Sequence, residues 1–388
     1  MNESRSLEDL TSACIRCGFC LESCPTFQLT GEETESPRGR IYLVRSAQEG
    51  KLPWSQVGPH IEKCLGCRAC ETACPSGVEY GQIFEIAKSN LEPKWWRRAL
   101  LRQLTDSGKA SRQFRLAALL PGRKLPSFLS RLWTGEPTQA RIPKRQSPRE
   151  YPALESRAPF RGQVALLRGC VMDALFPNVH EATRRLLKRC GYGVIDLEGC
   201  CGALNAHSGD LDQARQQFDH LDKSLIIVTN SAGCGSFLKD SGARAFDAAE
   251  FLYANGLREL IRSAPGLVKR VTYHDACHLA HGQGVRSQPR ELIRSIQGIT
   301  LIELENADRC CGSAGIYNVQ QPTMAKQLLD LKWQSIEATG AEILVSGNPG
   351  CHAWIEQGCA DRRSPVMVLH TMELLEAAFS GLDELAKK

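Results

Sequence analysis

Eight cysteines near the N-terminus repeat one spacing twice. Both runs consist of three cysteines at intervals of three residues, then a fourth cysteine followed by proline. Three such thiolates can surround one corner of a cubane iron-sulfur cluster, while the fourth points towards a neighbouring cluster. The spacing therefore predicts two [4Fe-4S] clusters with exchanged fourth ligands, one held by Cys14, Cys17, Cys20 and Cys74 and the other by Cys64, Cys67, Cys70 and Cys24.

Zinc sites and a disulfide framework are the alternatives for so many cysteines. Structural zinc sites pair two Cys-x2-Cys units and need neither a third thiolate in step nor a proline after the fourth. Disulfide scaffolds are typical of small secreted domains, whereas this chain has 388 residues and its first ten, MNESRSLEDL, lack the apolar core of a signal peptide. We therefore expect a cytoplasmic protein whose eighteen cysteines are reduced or bound to metal.

A second group of cysteines lies beyond residue 160, where candidate strands and helices alternate and the order then recurs. Each copy contains three candidate strands, at 164–167, 194–197 and 225–229, and at 271–273, 301–304 and 343–345. Alternation of this kind indicates a parallel sheet, and ligands gather beyond the carboxyl ends of its strands. The cysteines that follow the strands should therefore converge, as Cys170, Cys200, Cys201 and Cys234 in the first copy and Cys277, Cys310, Cys311 and Cys351 in the second.

Each copy contains an adjacent cysteine pair followed by glycine, Cys200-Cys201-Gly202 and Cys310-Cys311-Gly312. Adjacent thiolates can bridge two irons or act as a redox pair, and the glycine lets the backbone turn closely. Four thiolates without a cation oppose one another's ionisation. We therefore expect a further iron-sulfur or zinc centre here. The second copy is the stronger candidate because it adds His278, His281 and His352.

The segment 94–149 differs from the rest of the chain in charge. It contains fourteen basic and two acidic residues, a net charge of +12, although the whole chain carries only +5. Its first half has the periodicity of amphipathic helices, and its second half is a proline-rich linker. The basic face is either solvated or docks on an acidic partner or anionic lipid, with Trp95, Trp96 and Trp133 as anchors.

Two other binding modes are not expected. No recognised nucleic-acid-binding fold accompanies the basic charge, so we expect no nucleic-acid partner. No apolar run is long enough to cross a bilayer. Any membrane contact would therefore be peripheral, on the cytoplasmic face of the inner membrane.

These motifs carry family resemblances. The insertion between Cys24 and Cys64 resembles the all-helical ferredoxin domain of succinate dehydrogenase, fumarate reductase and heterodisulfide reductase C-type iron-sulfur subunits. The Cys…Cys-Cys-Gly…Cys repeat resembles the cysteine-rich domain of heterodisulfide reductase B-type subunits, lactate-utilisation proteins and the anaerobic glycerol-3-phosphate dehydrogenase C subunit. The order of both parts, together with the PRGRIYL segment, is similar to glycolate oxidase iron-sulfur subunits across essentially the whole chain.

The resemblance implies an α+β multidomain architecture. An all-helical two-cluster ferredoxin domain is expected over residues 1–93, and a basic helical segment with a proline-rich linker over 94–160. Two parallel-sheet cysteine-rich repeats are expected over 161–265 and 266–388.

The implied function is that of an iron-sulfur electron-transfer subunit in a flavin-dependent glycolate oxidase. Electrons would come from a partner FAD-containing 2-hydroxy-acid dehydrogenase subunit and pass to a quinone or other acceptor. The sequence has no strand-associated Gly-x-Gly-x-x-Gly, no phosphate-binding loop and no nucleophile elbow. We therefore expect no oxidation of substrate by this chain alone.

Three alternatives stay open. The partner could oxidise D-lactate or glycerol-3-phosphate. The cysteine-rich half could itself reduce a disulfide, as in heterodisulfide reductase, although that family ends each repeat in Cys-x2-Cys, where this chain has Cys234-Gly-Ser-Phe237 and Cys351-His-Ala-Trp354. The third alternative is a zinc-stabilised or metal-free interaction domain.

Overall fold

A computed structural model describes residues 5–92, 94–117, 131, 138, 140–151, 153–154 and 158–381. It consists of an N-terminal helical region followed by two four-stranded parallel sheets, which confirms the predicted α+β class. Most of the predicted proline-rich linker, including Trp133, lies outside the described residues. In the part of the chain that the structure describes, no helix is both long and apolar enough to span a membrane.

Short helices build the N-terminal region, and local capping sets where they begin. Ser6 caps the first helix in a capping box with Asp9, and Ser36-Pro37 opens the helix of the insertion. The helices are α1 (Leu7–Ser12), α2 (Pro25–Thr30), α3 (Pro37–Gln48), α4 (Trp54–Glu62), α5 (Ala69–Thr72), α6 (Tyr80–Ser89), α7 (Trp95–Leu104) and α8 (Ser107–Ala117), with a 3-10 turn at Glu33–Glu35.

Helices α7 and α8 confirm the predicted helical half of the basic segment, but one predicted anchor is wrong. Trp95 is 72% exposed, whereas Trp96 is only 6% exposed and packs inside. Arg97 is also buried and forms an ion pair with Glu62 of α4. The basic outer face of α7 therefore consists of Lys94, Arg98 and Arg102, beside Trp95.

A buried arginine joins the separate parts of the helical region. Arg40 of α3 is 1% exposed, and its guanidinium donates to Glu35 Oε2 at 2.8 Å and to Thr26 Oγ1 at 2.9 Å. A third donor, Nε, reaches the carbonyl oxygen of His60 at 2.8 Å. Thr26 follows Cys24 by two residues, and His60 lies at the end of α4. Arg40 therefore holds the first cysteine run against the helix that leads into the second.

The carboxylate that faces Arg40 is satisfied from a second side. Glu35 Oε1 accepts from Lys63 Nζ at 2.8 Å and lies 2.8 Å from His60 Nδ1. Burial alone raises the pKa of Glu35, but the hydrogen bonds from Lys63 and His60, together with the charge of Arg40, lower it overall. Glu35 therefore stays ionised inside the helical region.

Each cysteine-rich repeat forms one parallel sheet, and both sheets place the first strand between the second and third. The strand orders are β2-β1-β3-β4 and β6-β5-β7-β8, which confirms the duplication. The strands are β1 (Gly162–Leu167), β2 (Tyr192–Leu197), β3 (Ile227–Thr229), β4 (Ala245–Asp247), β5 (Lys269–His274), β6 (Ile299–Ile302), β7 (Ile343–Ser346) and β8 (Met367–His370). The prediction of three strands per copy missed β4 and β8, because runs of three or four residues show too little periodicity.

Helices connect the strands and cover both sheets. They are α9 (Val171–Leu175), α10 (Pro177–Arg189), α11 (Ala203–Ala206), α12 (Leu211–Asp219), α13 (Ala232–Asp240), α14 (Ala248–Ala254), α15 (Leu257–Arg262), α16 (Ser287–Arg294), α17 (Tyr317–Gln320), α18 (Pro322–Thr339), α19 (Pro349–Arg362) and α20 (Thr371–Ser380), with a π-helical turn at His278–Gly282. The two sheets share one hydrophobic core, to which Val164 and Val228 contribute from the first sheet and Val271 and Val345 from the second. The two repeats are therefore packed as one unit.

Replacing Arg40 with Met should lower the free energy of unfolding by about 3 to 5 kcal/mol, because it leaves Glu35 buried without its guanidinium partner. Arg45 lies on the same helix and forms an exposed ion pair with Glu49, so Arg45→Met is the matched control, with a change of at most about 0.5 kcal/mol. Urea unfolding followed by circular dichroism measures both. Equal losses in the two variants would contradict a central role for Arg40.

Candidate metal centres

Three cysteines of the first run line a cavity together with two cysteines of the second run. Cys14, Cys17 and Cys20 lie in the loop between α1 and α2, and Cys74 approaches from the end of the second run. Cys70 lies on the wall of the same cavity. The structure therefore brings Cys74 to the first run across more than fifty residues of sequence.

A second cavity shows the reciprocal exchange. Cys24, from the first run, lines it together with Cys64, Cys67 and Cys70. The Cys64 sulfur accepts from the backbone N–H of Gly66 at 3.4 Å and lies 3.6 Å from the Tyr80 hydroxyl, which donates to it. Hydrogen bonds of this kind stabilise a thiolate and are one of the levers that set the potential of a bound cluster.

The donor sets fit iron-sulfur clusters better than free thiols. Burial raises the pKa of Cys67 and of Cys70 well above the usual range, and neighbouring thiols add to the effect. Such sulfurs keep their protons unless a cation replaces them. Four cysteine sulfurs around one cavity, with a backbone N–H and a hydroxyl donating to a sulfur, suit a [4Fe-4S] cluster.

In the first repeat the four predicted cysteines form a connected row at the carboxyl end of the sheet. The Cys170 and Cys200 sulfurs lie 3.5 Å apart. Hydrogen bonding with Cys170 and with Cys201 lowers the pKa of Cys200, whereas hydrogen bonding with Cys200 and Cys234 raises the pKa of Cys201. The row therefore runs from Cys170 through the adjacent pair to Cys234, which lies in the first turn of α13.

The second repeat places its four cysteines in the same way. Hydrogen bonding with Cys310, followed by burial, raises the pKa of Cys277 well above the usual range. Cys311 interacts with Cys310 on one side and with Cys351 on the other, and its pKa is also raised. The predicted convergence of cysteines after three strands is therefore present in both copies.

The glycine after each cysteine pair is required by its backbone. Gly202 and Gly312 have φ of 100° and 89°. A Cβ atom at Gly202 would lie 2.6 Å from the carbonyl oxygen of Ala214, and one at Gly312 would lie 2.6 Å from that of Ala325. The second helix after each pair, α12 or α18, therefore packs directly on the turn that presents the two sulfurs.

The second repeat contains an imidazole that the sequence analysis missed. A ring nitrogen of His274, at the end of β5, and the sulfurs of Cys311 and Cys351 all lie within 4.8 Å of one another. His274 Nδ1 lies 3.1 Å from the carbonyl oxygen of Ala307 and so carries the proton, while Nε2 has no partner among the described residues. A metal-binding histidine typically donates one ring N–H to a carbonyl oxygen and keeps the other ring nitrogen free for the metal.

The position of His274 also distinguishes the two copies. When Cys170 is aligned with Cys277, the residue equivalent to His274 is Leu167. Aligning the two repeats would have identified His274, because it is a single imidazole in a strand whose copy in the first repeat is apolar. The second centre can therefore combine sulfur and nitrogen ligands, whereas the first has only sulfur at these positions.

Two of the three histidines singled out from the sequence point to the helical region instead. His278 Nε2 lies 3.1 Å from the carbonyl oxygen of Gly66, and His281 Nδ1 lies 2.9 Å from Thr72 Oγ1. His352 is buried and packs edge-on against Phe176, with ring centroids 5.0 Å apart. Burial lowers the pKa of His352 to about 4, so this imidazole is neutral at physiological pH.

The loop between Cys64 and Cys74 contacts both repeats. Arg68 donates to Ser236 Oγ at 3.1 Å and forms an ion pair with Asp240, both in the first repeat. Cys67 belongs to the hydrophobic cluster of the second repeat that contains Cys277 and Cys310. The second ferredoxin-type cavity and the cysteines of the second repeat are therefore neighbours.

Comparison with known proteins gives two family matches. The family described as "4Fe-4S dicluster domain" matches residues 11–78, and the family described as "Cysteine-rich domain" matches residues 164–239 and 271–356. These ranges contain the two cysteine runs and the two rows of cysteines.

Similar proteins cover nearly the whole chain. It is 35% identical to the probable glycolate oxidase iron-sulfur subunit of Bacillus subtilis (strain 168), over 94% of this chain and 93% of that protein. It is 33% identical to the glycolate oxidase iron-sulfur subunit of Escherichia coli (strain K12), over 97% and 96% of the two chains. Lactate utilization protein A of Geobacillus sp. (strain WCH70) is 28% identical over 55% of this chain and 99% of its own length.

Replacing Cys74 with Ser should perturb the cluster of the first run, because Cys74 lines the cavity of Cys14, Cys17 and Cys20. Electron paramagnetic resonance of the anaerobically reduced protein should show the same change as Cys17→Ser. The reference variant for the other cluster is Cys67→Ser. A Cys74→Ser spectrum that matches Cys67→Ser would overturn the exchanged arrangement.

Replacing His274 with Leu, the residue at the equivalent position of the first repeat, should weaken metal binding in the second repeat by about tenfold or more. The measurement is metal and sulfide content per chain after dialysis against a chelator. His352→Leu removes an equally buried imidazole and is the control, with unchanged metal content expected. Identical contents in wild type and His274→Leu would exclude His274 as a ligand.

Proposed function

The chain belongs to the family of glycolate oxidase iron-sulfur subunits, and on that premise we propose that it carries electrons from a partner FAD-containing 2-hydroxy-acid dehydrogenase subunit to a quinone-type acceptor. The substrate of the partner would be glycolate, and its product glyoxylate. The observation that carries the proposal is the continuous series of cysteine sets, from the first cavity through the second to the row that begins at Cys277. Such a series suits transfer of electrons rather than oxidation of a substrate.

The proposed cofactors are two [4Fe-4S] clusters and one further centre. A bound cluster accepts one electron at a time, whereas a reduced flavin releases two. The chain's own residues position and tune these groups. Arg40 and the donors to Cys64 place positive charge and hydrogen bonds beside the second cavity, which favours uptake of an electron there.

The further centre is proposed for the second repeat, with Cys277, Cys310, Cys311 and Cys351 as its sulfur ligands. His274 is added to this set because its free nitrogen faces Cys311 and Cys351. An iron-sulfur or a zinc centre would satisfy these donors. Cys170, Cys200, Cys201 and Cys234 of the first repeat are the weaker candidate, since the first repeat has Leu167 in place of the imidazole.

Burial argues against the chain as a disulfide reductase. Cys310 is 3% exposed and Cys311 is fully buried. A thiolate attacks a disulfide only if the substrate sulfur can reach it in line, which these positions prevent. A second candidate function is transfer from a lactate-oxidising partner, favoured by the similarity to lactate utilization protein A.

We place the protein in the cytoplasm, in peripheral contact with the inner membrane through the outer face of α7. Lys94, Arg98 and Arg102 would face the anionic headgroups and Trp95 the interface. Salt screens the attraction between these basic side chains and anionic headgroups, so the contact should weaken at high ionic strength.

The purified chain should show no oxidation of glycolate with a dye acceptor, because a flavin site is not expected in it. Adding the flavoprotein partner should produce glycolate-dependent reduction of the chain, seen as loss of cluster absorbance under anaerobic conditions. D-Lactate and glycerol-3-phosphate are tested in parallel. Reduction of the chain with D-lactate but not with glycolate would identify the second candidate function. Rapid turnover by the isolated chain would overturn the proposal.

A further inference from the structure

A large cavity lies on the helical region, away from the rows of cysteines. It has a volume of about 670 Å³, which is within the range of small-molecule sites in proteins. Three stretches of the N-terminal region surround the cavity: α4, the chain after α6 and the start of α7. Gln320 and Gln321 of the second repeat close it. The cavity is therefore formed only when the helical region and the second repeat are packed together.

The lining of the cavity combines aromatic and aliphatic side chains with polar and charged ones. Trp54, Trp96 and Leu91 contribute indole and aliphatic surface. The carboxylate of Glu62 is paired with Arg97, and the ammonium of Lys63 is paired with Glu35. The two other charged residues of the lining, Glu92 and Lys94, have opposite signs, so the site has no net charge that would require a charged ligand, and its indoles suit a flat ring.

Two buried donors in the lining are unused. Gln320 Nε2 and Arg97 Nε have no hydrogen-bond acceptor among the described residues. A buried donor without an acceptor is destabilising, so the amide of Gln320 calls for a ligand oxygen. A carbonyl group on a flat apolar ring would satisfy it.

The cavity also lies beside the second candidate cluster. Lys63 lines the cavity and is followed directly by Cys64, which lines the ferredoxin-type cavity behind it. Tyr317 donates from its hydroxyl to the carbonyl oxygen of Lys63 at 2.9 Å and fixes this wall. A molecule bound in the cavity would therefore be one residue away from a cluster ligand.

Helix α7, which begins at the cavity, also carries a surface suited to lipid. Trp96 lines the cavity, while its neighbour Trp95 is exposed on the outer face of α7 with Arg98 and Arg102. An exposed indole among basic residues is typical of a helix that rests on an anionic membrane surface. A lipid-soluble molecule could pass from the bilayer into the cavity along this helix.

We propose that this cavity binds the ring of a quinone, with Gln320 donating to a quinone oxygen and Trp54 and Trp96 packing against the ring. The inference rests on the proposed function for the source of its electrons. In the reaction, the quinone would take up two electrons delivered through the chain by the proposed function, together with two protons from water, to become the quinol. The cavity would thus be the place where electrons leave the chain.

The test uses the full chain with its clusters and a benzoquinone that carries a short alkyl tail. Binding to the oxidised protein is measured by quenching of tryptophan fluorescence, since two tryptophans line the cavity. Gln320→Leu should weaken binding about tenfold, the loss of one hydrogen bond. Gln216→Leu makes the same change on the exposed surface of α12 and should leave the affinity unchanged. Ser55→Trp, which fills the cavity from an exposed position, should abolish saturable quenching.

A second measurement separates this inference from the proposed function. The chain is reduced with dithionite, freed of excess reductant and mixed with the quinone or with ferricyanide, without any partner or substrate. Ser55→Trp should slow reoxidation by the quinone at least tenfold and leave reoxidation by ferricyanide unchanged. If the complex with the flavoprotein reduces a dye with electrons from glycolate but the quinone shows no saturable binding, the cavity assignment is wrong. If the quinone binds as expected but no 2-hydroxy acid reduces the complex, the proposed function fails and the cavity assignment stands.

Discussion

The arrangement of the helical region depends on one buried ion pair. Burying the charge of Arg40 or of Glu35 without a partner would be costly. Each is stabilised inside the protein by hydrogen bonds with the other and with Thr26, His60 and Lys63. These partners come from four separate stretches of chain. The pair therefore joins the long insertion to the first cysteine run and to the helix before the second, and so fixes how the two runs lie against each other.

The two repeats show how one fold can be kept while its site diverges. Both have the same strand order, the same glycine turn after the cysteine pair and the same row of sulfurs. They differ at Leu167 and His274, and they differ in what they contact, because the second repeat holds Cys67 in its core cluster while the first receives Arg68. The cysteines of the second repeat thus lie against the second ferredoxin-type cavity, whereas the first repeat meets the same loop through the ion pair of Arg68 with Asp240.

Sequence patterns predicted what depends on spacing and on periodicity. Cysteine spacing predicted both ferredoxin-type sets, and the recurring strand-helix order predicted two parallel sheets with cysteines at one edge. Features that arise from packing between distant elements were not predictable. His274 reaches Cys311 and Cys351 only through the pairing of β5 with its neighbours, and Trp96 is buried only because α7 folds back on α4. The charge and aromatic content of 94–149 predicted an amphipathic helix but not which of its faces would be covered.

Cys67 and Cys277 are both buried where the helical region packs on the second repeat, at 9% and 8% exposed. On the proposed function, a cluster held by Cys67 would have to be inserted before these two parts pack together, because the packed form covers its ligand. Packing would then shield the inserted metal from solvent. A chain without metal would keep the apolar side chains of this contact exposed for longer.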